Sequence, residues 1–261
     1  MKILFCGDVV GRSGRDVIKR QVPLLRKEHA LDAVIVNVDN AAGGFGINAE
    51  TMRDLGGNGI DIMTGGDHVF DQKDAPSLLG NTANLLRPHN FPSTVPGTGC
   101  KLFTLANGKK LLVLHLLGQV FHKEYLDSPF ACAEAALAPY KLGSNVDAIL
   151  VDMHAEATSE KMAMGHFLDG KVSLVVGSHT HVPTADTRIL PKGTAYQTDA
   201  GMCGDYNSII GFDPTGPMQQ FIHKYRKQRM EPASGNGTLC GAIVETGDNG
   251  LAISITPLQV K

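Results

Sequence analysis

The sequence predicts an α/β protein built around a mixed sheet. Short apolar runs that end near Gly, Asp or Asn alternate with segments whose apolar residues recur at helical spacing. An Asn-Gly pair between two further apolar runs predicts a hairpin, and with it an antiparallel pair of strands. The chain has 261 residues, of which 43% are hydrophobic, and shows no repeat or long linker. We therefore expect one two-layered domain over residues 1–261.

The first third of the chain shows the alternation of strands and helices most clearly. Predicted strands cover residues 2–7, 33–38 and 60–64, and predicted helices cover residues 15–28, 49–55 and 72–79. The first helix has one apolar face, formed by Val17, Ile18, Val22, Leu24 and Leu25. Such a face is expected where a helix covers a sheet.

The rest of the chain adds two hairpins to this alternation. Residues 102–105 and 110–116 flank Asn107 and Gly108, which suit a tight turn. Predicted helices then cover residues 131–142, 159–168 and 216–229, and predicted strands cover residues 147–151 and 172–176. A closing hairpin is expected from residues 239–245 and 251–256, joined through residues 247–250.

Composition and charge exclude several classes of protein. A formal net charge of −2 gives no overall positive field for nucleic acid or anionic membrane, so any phosphate-binding site must be local. The five cysteines lack a CxxC pair, which argues against a disulfide framework or a thiolate zinc site and indicates a reduced, cytoplasmic compartment. No apolar run approaches the ~20 residues that cross a bilayer. The N-terminal run, broken by Asp8, does not fit a signal peptide, so no membrane partner is expected.

Acids, amides and histidines follow the predicted strands, close to where each strand ends. They are Asp8, Asp39, Asn40, Asp67, His68, His154, His179 and His181. Because strand carboxyl ends converge on one crevice in α/β sheets, these residues are expected to share a site. Carboxylates, imidazoles and an amide form the mixed oxygen and nitrogen set preferred by Mn, Fe or Zn. Each residue alone is more often a cap, a turn former or a packed histidine, but together they predict a metal centre.

Five segments of the chain carry a family resemblance. They are GDVVGRSGR (7–15), VNVDNAAGGFGI (36–47), GGDHVFD (65–71), VDMHAEATSEK (151–161) and GSHTHVPTADTRILPKGTAYQTDAGM (177–202). In this order and spacing they resemble the calcineurin-like metallophosphoesterases, specifically their YmdB-like branch of cyclic-nucleotide phosphodiesterases. The resemblance implies a β-sandwich flanked by helices, with a dinuclear metal site at the strand carboxyl ends.

The resemblance also implies a role for each candidate residue. One metal would be held by Asp8, Asn40 and His181. The other would be held by Asp67, His154 and His179. Asp39 would bridge the two metals, and His68 would be the general acid rather than a ligand. The implied cofactors are two divalent ions per chain, iron or manganese, with zinc as the alternative.

Two positions depart from the family pattern. Asp39 stands where the family usually has Glu, which keeps the carboxylate but shortens its side chain by one methylene. Asp67 stands where the family usually has Asn, which adds one negative charge. The hypothesis is that this charge makes the metal pair a weaker electrophile but holds it more tightly.

The implied reaction is hydrolysis of cyclic nucleotides such as 2′,3′-cyclic AMP. A hydroxide that bridges the metals would attack phosphorus, and His68 would protonate the departing oxygen. Two alternatives stay open. One is a phosphomonoesterase with the same site, and the other is a catalytically weakened regulatory protein that associates with RNA.

Several further residues could have either a functional or a purely structural role. Arg12 and Arg15 could touch a substrate phosphate or be solvated. A basic cluster near the end of the last predicted helix could contact RNA or complement the helix dipole; it consists of His223, Lys224, Tyr225, Arg226, Lys227 and Arg229. Four aromatic residues could stack on a nucleobase, although packing is favoured; they are Phe45, Phe70, Tyr206 and Phe212. Cys203 is expected to be inert. Self-association is implied by the resemblance alone.

Overall fold

The fold is that of a computed structural model, which describes residues 1–122, 126–225 and 229–261. The strands in this part of the chain are β1 (Lys2–Cys6), β2 (Asp8–Val9), β3 (Ala33–Asn37), β4 (Ile62–Thr64), β5 (Leu85–Leu86), β6 (Cys100–Thr104), β7 (Lys110–Leu117), β8 (Ala148–His154), β9 (Leu174–Ser178), β10 (Arg188–Ile189), β11 (Ala195–Gln197), β12 (Met202–Cys203), β13 (Leu239–Thr246) and β14 (Ala252–Val260). The helices are α1 (Gly11–His29), α2 (Ala49–Leu55), α3 (Ala75–Asn81), α4 (Pro129–Leu137), α5 (Thr158–Leu168) and α6 (Thr215–His223).

Most of the strands form two six-stranded sheets. The first has the order β14-β13-β1-β3-β4-β5, and the second has the order β10-β11-β9-β8-β7-β6. In the first sheet β1, β3, β4 and β5 are parallel, and β13 and β14 add antiparallel strands at one side. In the second sheet β7, β8, β9 and β11 are parallel, with antiparallel β6 and β10 at the edges. The prediction of mixed strand pairing is confirmed, and it holds for both sheets.

Apolar side chains sort the elements into four layers. The two sheets face each other across a core that contains Ile3 and Phe5 of β1 and Leu150 of β8. The alternate residues of β1, Leu4 and Cys6, face the opposite way and pack with α1, α2 and α3. The outer face of the second sheet packs with α4 and α5. The β-sandwich flanked by helices is therefore confirmed, whereas the expected two layers are four, because strand patterns do not reveal which strands share a sheet.

The predicted elements are present with shifts at their ends. Helix α1 begins at Gly11, four residues before the predicted start, and α2 has the predicted bounds. Helix α4 begins at Pro129 and ends at Leu137 rather than 142. Pro139 has no backbone N–H, so it cannot continue the i→i−4 hydrogen bonds of the helix, although Ala138 before it still has helical φ and ψ. Helix α6 ends at His223, and Lys224 has a φ of 63°. Residues 226–228 of the predicted helix lie outside the described residues.

Both predicted hairpins are confirmed. Strands β6 and β7 pair antiparallel around a turn in which Gly108 has a φ of 81°. Strands β13 and β14 pair antiparallel along the edge of the first sheet. These turns need positive φ, which glycine adopts without the steric cost that a Cβ brings.

A short parallel pair, β2 with β12, ties the exit of β1 to the segment that follows β11. Asp8 is in register with Met202 in this pair. A Cβ on Gly7 would lie 1.8 Å from the carbonyl oxygen of Gly201, so a glycine is needed for this close approach. The pair fixes Asp8 at the carboxyl end of the first sheet.

Candidate metal centre

The eight residues predicted at the strand ends lie together at one edge of the sandwich. Asp8 follows β1, and Asp39 and Asp67 follow β3 and β4 in the same sheet. His154 ends β8, and His179 directly follows β9 in the facing sheet. Both sheets therefore contribute donor groups, and a chain of short contacts connects all eight residues.

The tightest group consists of Asp67, His154 and His179. Oδ1 of Asp67 lies 3.0 Å from Nε2 of His154 and 3.3 Å from Nδ1 of His179. The two imidazole nitrogens lie 3.1 Å apart. Each residue offers a ligand atom within 4.8 Å of the others. Three donors that converge on one point can bind a cation there.

A second group consists of Asp8, Asn40 and His181. Oδ1 of Asn40 lies 3.1 Å from Nε2 of His181, and Oδ1 of Asp8 lies 3.9 Å from the same nitrogen. Nδ2 of Asn40 donates a hydrogen bond to the Gly44 carbonyl at 2.9 Å, which turns the amide oxygen toward His181. Nδ1 of His181 lies 2.8 Å from the carbonyl of Ile210. These contacts fix both side chains so that an atom able to bind a metal, Oδ1 of Asn40 or Nε2 of His181, faces the cluster.

Asp39 completes the cluster, and its environment fits a cation. Its Oδ2 accepts the backbone N–H of His68 at 3.1 Å and lies 3.5 Å from Nε2 of His154. Its Oδ1, like Oδ1 of Asp8, is buried and has no hydrogen-bond partner among the described residues. A Cβ on Gly66 would lie 2.6 Å from Oδ2 of Asp39 and 2.5 Å from Nε2 of His154. A divalent ion would satisfy the two orphaned carboxylate oxygens, and the absence of a side chain at Gly66 leaves room beside Asp39 and His154.

The pKa shifts of the buried residues in the cluster also fit a bound cation. Burial, with the neighbouring Asp199 carboxylate, raises the pKa of Asp8 to about 7. Burial and the nearby Asp67 carboxylate raise the pKa of Asp39 well above its ordinary value. Burial lowers the pKa of His154 to about 3. Asp8 and Asp39 therefore resist ionisation and His154 resists protonation, as expected for the buried part of a site that lacks a cation.

His68 lies at the rim of this cluster. Its Nδ1 lies 2.8 Å from Oδ2 of Asp71, and its Nε2 lies 3.8 Å from Oδ2 of Asp67. The edge of the ring meets Phe45, with the ring centroids 5.1 Å apart. A ring nitrogen of His68 also lies within 4.8 Å of carboxylate oxygens of Asp39 and Asp67. The histidine is therefore placed to reach a substrate held at the cluster.

A buried polar network behind His154 was not predicted from the sequence. Nδ1 of His154 lies 2.9 Å from Oγ of Ser178, which donates to Oδ1 of Asp152 at 2.7 Å. The other oxygen of Asp152 accepts from Thr64 at 2.7 Å and from Asn37 at 3.2 Å. The alternation of β8 puts Asp152 and His154 on the same face of the strand, and this spacing was the available clue.

The loop that carries His179 and His181 is strained and anchored. Both histidines have positive φ, 95° and 66°, a conformation that costs free energy for residues with a Cβ. Thr180, between them, donates from its backbone N–H and its hydroxyl to Oδ2 of Asp199 at 3.1 and 2.7 Å. Lys161 contacts the same oxygen at 2.6 Å. The anchor was also missed, since Lys161 and Asp199 are 38 positions apart in sequence.

Glu156 is a further residue at the centre that the sequence did not single out. Its Oε2 lies 3.1 Å from Nε2 of His179. Because Nδ1 of His179 faces Asp67 and His154, the carboxylate orients the ring toward the cluster from the opposite side. This arrangement of carboxylate, histidine and metal site is common in metalloproteins.

The cleft above the cluster has two lobes, which share His68, Glu156 and His179. The acidic lobe has a volume of about 660 Å³ and is completed by Asp67, Asp71, Phe121 and His122. The apolar lobe has a volume of about 410 Å³ and is completed by Asn40, Phe45, Thr180, His181, Ile210, Phe212 and Met230. The two lobes therefore present different chemistry to one substrate.

Other residues singled out by sequence have structural contacts. Arg15 bonds to Oδ2 of Asp54 and to the Ala41 carbonyl, both at 2.7 Å, and Arg12 is largely exposed beside Asp16. Phe70 packs against Phe91. The hydroxyl of Tyr206 donates to the Met202 carbonyl at 3.1 Å. Burial raises the pKa of the Cys203 thiol well above its ordinary value, which agrees with an inert cysteine.

The basic cluster is described only in part. His223, Lys224 and Tyr225 are exposed at the end of α6, and Arg229 is exposed as well. Arg226 and Lys227 lie outside the described residues. None of the helices in residues 1–122, 126–225 and 229–261 is both long and apolar enough to cross a membrane.

Comparison by sequence identifies relatives along nearly the whole chain. A family model described as "YmdB-like protein" matches residues 4–258. A protein of Bacillus subtilis named 2′,3′-cyclic-nucleotide 2′-phosphodiesterase is 43% identical over 251 residues, which are 95% of this chain and 92% of the Bacillus protein.

Comparison by structure also identifies proteins that are similar along the whole chain. A hypothetical protein from Thermus thermophilus superposes with a TM-score of 0.91 at 37% identity, with all of both chains covered. A protein of Mycoplasma pneumoniae, described as a novel phosphatase, superposes with a TM-score of 0.92 at 32% identity over 100% of this chain and 93% of its own. A 5′-nucleotidase precursor from Thermus thermophilus, 13% identical, has a TM-score of 0.59 over 100% of this chain and 54% of its own, and shares the fold.

Proposed function

The chain belongs to the YmdB-like family, and from that premise we propose that it is a metal-dependent phosphodiesterase, a hydrolase that acts on 2′,3′-cyclic nucleotides. The observation that carries the proposal is the convergence of Asp67, His154 and His179, with ligand atoms within 4.8 Å of one another. The 43% identical relative named for this activity supports the choice of substrate. Hydrolysis would break the bond between phosphorus and the 2′ oxygen and leave a 3′-phosphate.

The proposed ligand sets follow the two groups of contacts. Asp67, His154 and His179 would hold one metal. Asp8, Asn40 and His181 would hold the other, and Asp39 would bridge the two. The orphaned oxygens of Asp8 and Asp39 support this assignment, because a cation would supply the partner that each lacks. The mixed oxygen and nitrogen donors favour iron or manganese, with zinc as the alternative.

In this site the protein has to hold the substrate and supply a proton. When bound, two divalent ions supply Lewis acidity toward the phosphoryl group and lower the pKa of water, so that no protein nucleophile is required. His68 would protonate the departing 2′ oxygen. The contact of Nδ1 with Asp71 at 2.8 Å leaves Nε2 directed toward the cluster for that transfer.

The two departures from the family pattern tune the same site. Asp39 keeps a carboxylate at the bridging position. Asp67 brings a negative charge to a position beside two imidazoles. Burial raises the pKa of Asp67, but the hydrogen bonds from His154 and His179 outweigh burial and hold that pKa below its ordinary value. We propose that the ionised Asp67 binds metal more tightly and lowers the electrophilicity of the metal pair.

The setting of the enzyme is also a proposal. We propose one catalytic domain over residues 1–261, located in the cytoplasm, where the five free cysteines would stay reduced. Self-association is proposed from the family alone. A contact with RNA through the exposed Lys224 and Tyr225 would be an additional property, and the net charge of −2 gives it no general electrostatic support.

Metal analysis combined with a substrate comparison tests the function. The purified protein would be stripped with chelator, reloaded with Mn²⁺ or Fe²⁺, and assayed for bound metal and for hydrolysis of 2′,3′-cyclic AMP. Adenosine 3′-monophosphate, a monoester with the same base, is the matched comparison. We expect about two metals per chain and turnover of the cyclic diester only with metal bound.

Each other result would reject a different part of the proposal. Faster hydrolysis of the monoester would make the protein a phosphomonoesterase with this site, the class to which the description of the Mycoplasma pneumoniae relative points. Full metal loading without turnover of either ester would reject the enzymatic function. A chain that takes up no metal under any loading condition would reject the ligand sets.

A further inference from the structure

The apolar lobe of the cleft has a lining unlike the rest of the candidate site. Its lining includes four apolar side chains, Phe45, Ile210, Phe212 and Met230, together with His181. The acidic lobe shares His68, Glu156 and His179 with the apolar lobe and adds the carboxylates of Asp67 and Asp71. A substrate held at the cluster would therefore meet an apolar lobe and an acidic lobe of the same cleft.

We propose that the apolar lobe is the subsite for the nucleobase and that Ile210 and Met230 determine the preference for substrates that carry a base. The inference rests on the proposed function, since it takes a cyclic nucleotide as the substrate. Metals bound at the cluster would hold the phosphate, and the ribose keeps the base only a few bonds away, so the base would enter an adjoining lobe. Base faces are flat and apolar, and they gain most from contact with apolar and aromatic side chains.

The position of Ile210 supports a binding role. The residue is 49% exposed, and its backbone has a φ of 46°. A β-branched residue in this conformation is strained, and strain of this kind collects at functional sites. The backbone is held in place by the contact of the Ile210 carbonyl with Nδ1 of His181 at 2.8 Å and by the paired hydrogen bonds between Ile209 and Phe212. The isoleucine is therefore rigidly linked to a candidate ligand.

The aromatic part of the lining is equally fixed. Phe45 and Phe212 lie with their ring centroids 5.5 Å apart. Phe212 is 4% exposed, and a Cβ on Gly44 would lie 2.6 Å from its ring. Phe45 also meets the edge of His68. A wall that is rigid before binding loses little conformational entropy when a base enters.

The test compares a substrate that has a base with one that lacks it. The probes are 2′,3′-cyclic AMP and methyl riboside 2′,3′-cyclic phosphate, and the readout is the ratio of their kcat/KM values in the metal-loaded enzyme. In Ile210→Ala and Met230→Ala we expect this ratio to fall about tenfold, with most of the change in KM for the nucleotide. Ile253→Ala, the same substitution at an exposed position of β14, should keep the ratio of the parent.

Phe121→Ala distinguishes the two lobes. Phe121 is 83% exposed and belongs to the acidic lobe. A fall in the ratio for Phe121→Ala, with none for Ile210→Ala and Met230→Ala, would put the base in the acidic lobe and overturn the proposal. A parent enzyme that hydrolyses both probes equally well would also overturn it, while leaving the phosphodiesterase function intact.

A binding measurement keeps this test separate from the test of function. Calorimetric titration with adenosine 3′-monophosphate and with ribose 3-phosphate compares the same two kinds of ligand without turnover. The first ligand should bind more tightly to the parent, and this advantage should shrink about tenfold in Ile210→Ala. If the cyclic diester is not hydrolysed but the difference in binding holds, the function fails and the base subsite stands. Equal binding of both ligands by the parent would reject the subsite.

Discussion

Nζ of Lys161 lies 2.6 Å from Oδ2 of Asp199, and both side chains are excluded from solvent. The same carboxylate accepts two hydrogen bonds from Thr180 through Oδ2, and the N–H of Gly201 through Oδ1 at 2.8 Å. Thr180 separates the two histidines with positive φ, His179 and His181. A buried ion pair between Lys161 of α5 and Asp199, which follows β11, thus holds the strained loop that carries two of the candidate ligands.

Lys161→Met should destabilise the fold strongly. Removing the ammonium leaves the Asp199 carboxylate buried without its counter-ion, which costs about 3–5 kcal/mol of unfolding free energy. Urea unfolding of the metal-free protein measures this loss. The exposed pair of Lys2 and Glu245, 3.7 Å apart, is the control, and Lys2→Met should cost less than about 1 kcal/mol. Equal losses in the two variants would show that the buried pair does not anchor the loop.

His68→Ala should slow hydrolysis of 2′,3′-cyclic AMP while the metals stay bound. Loss of a positioned general acid lowers kcat by roughly 10²–10⁴-fold. Steady-state kinetics and metal analysis of the same preparation check both statements. His166→Ala, at an exposed position on α5, should retain the activity of the parent. If His68→Ala loses metal as well as activity, His68 is a ligand and its role as the acid is wrong.

Asp67→Asn restores the amide that the family usually has. With one negative charge fewer, the protein should release metal at a lower chelator concentration, because the attraction between cation and ligand set is weaker. At saturating Mn²⁺ its kcat should rise, since the metal pair is then more electrophilic. A chelator titration followed by kinetics at saturating metal tests both directions. A variant that matches the parent in both measurements would refute the proposed effect of this charge.

Ser178→Ala should weaken metal binding although Ser178 is not itself a candidate ligand. The hydroxyl links His154 to Asp152, and loss of such a supporting contact typically lowers metal affinity about 10–100-fold. Competition with a chromogenic chelator measures the affinity. Ser173→Ala is the matched control, because Ser173 is equally buried but bonds to the Gly250 carbonyl, at 2.6 Å, rather than to this network. The control should reduce stability and leave metal affinity unchanged, and a similar loss of affinity in both variants would contradict the role of the network.

The features that depend on neighbouring residues in the chain could be predicted from the sequence. An apolar run, a strand end and a polar residue just beyond it are neighbours in the chain, so Asp39 after β3 and His179 after β9 could be found from pattern alone. Turn chemistry is equally local, and it predicted both hairpins. The ends of helices were harder to predict. In α4 the apolar pattern continues past Pro139, whereas the helix ends before it because proline lacks the N–H that the next helical hydrogen bond needs.

The tertiary structure alone decided which distant groups meet. The bond from Asn37 to Asp152 joins the two sheets across 115 positions, and the contact of Lys161 with Asp199 joins two connections of the second sheet. The two lobes of the cleft also arise from segments far apart in the chain, such as Phe45 and Ile210. The physical reason is that strand and turn preferences act between near neighbours, whereas the pairing of buried polar groups depends on how the two sheets are packed together.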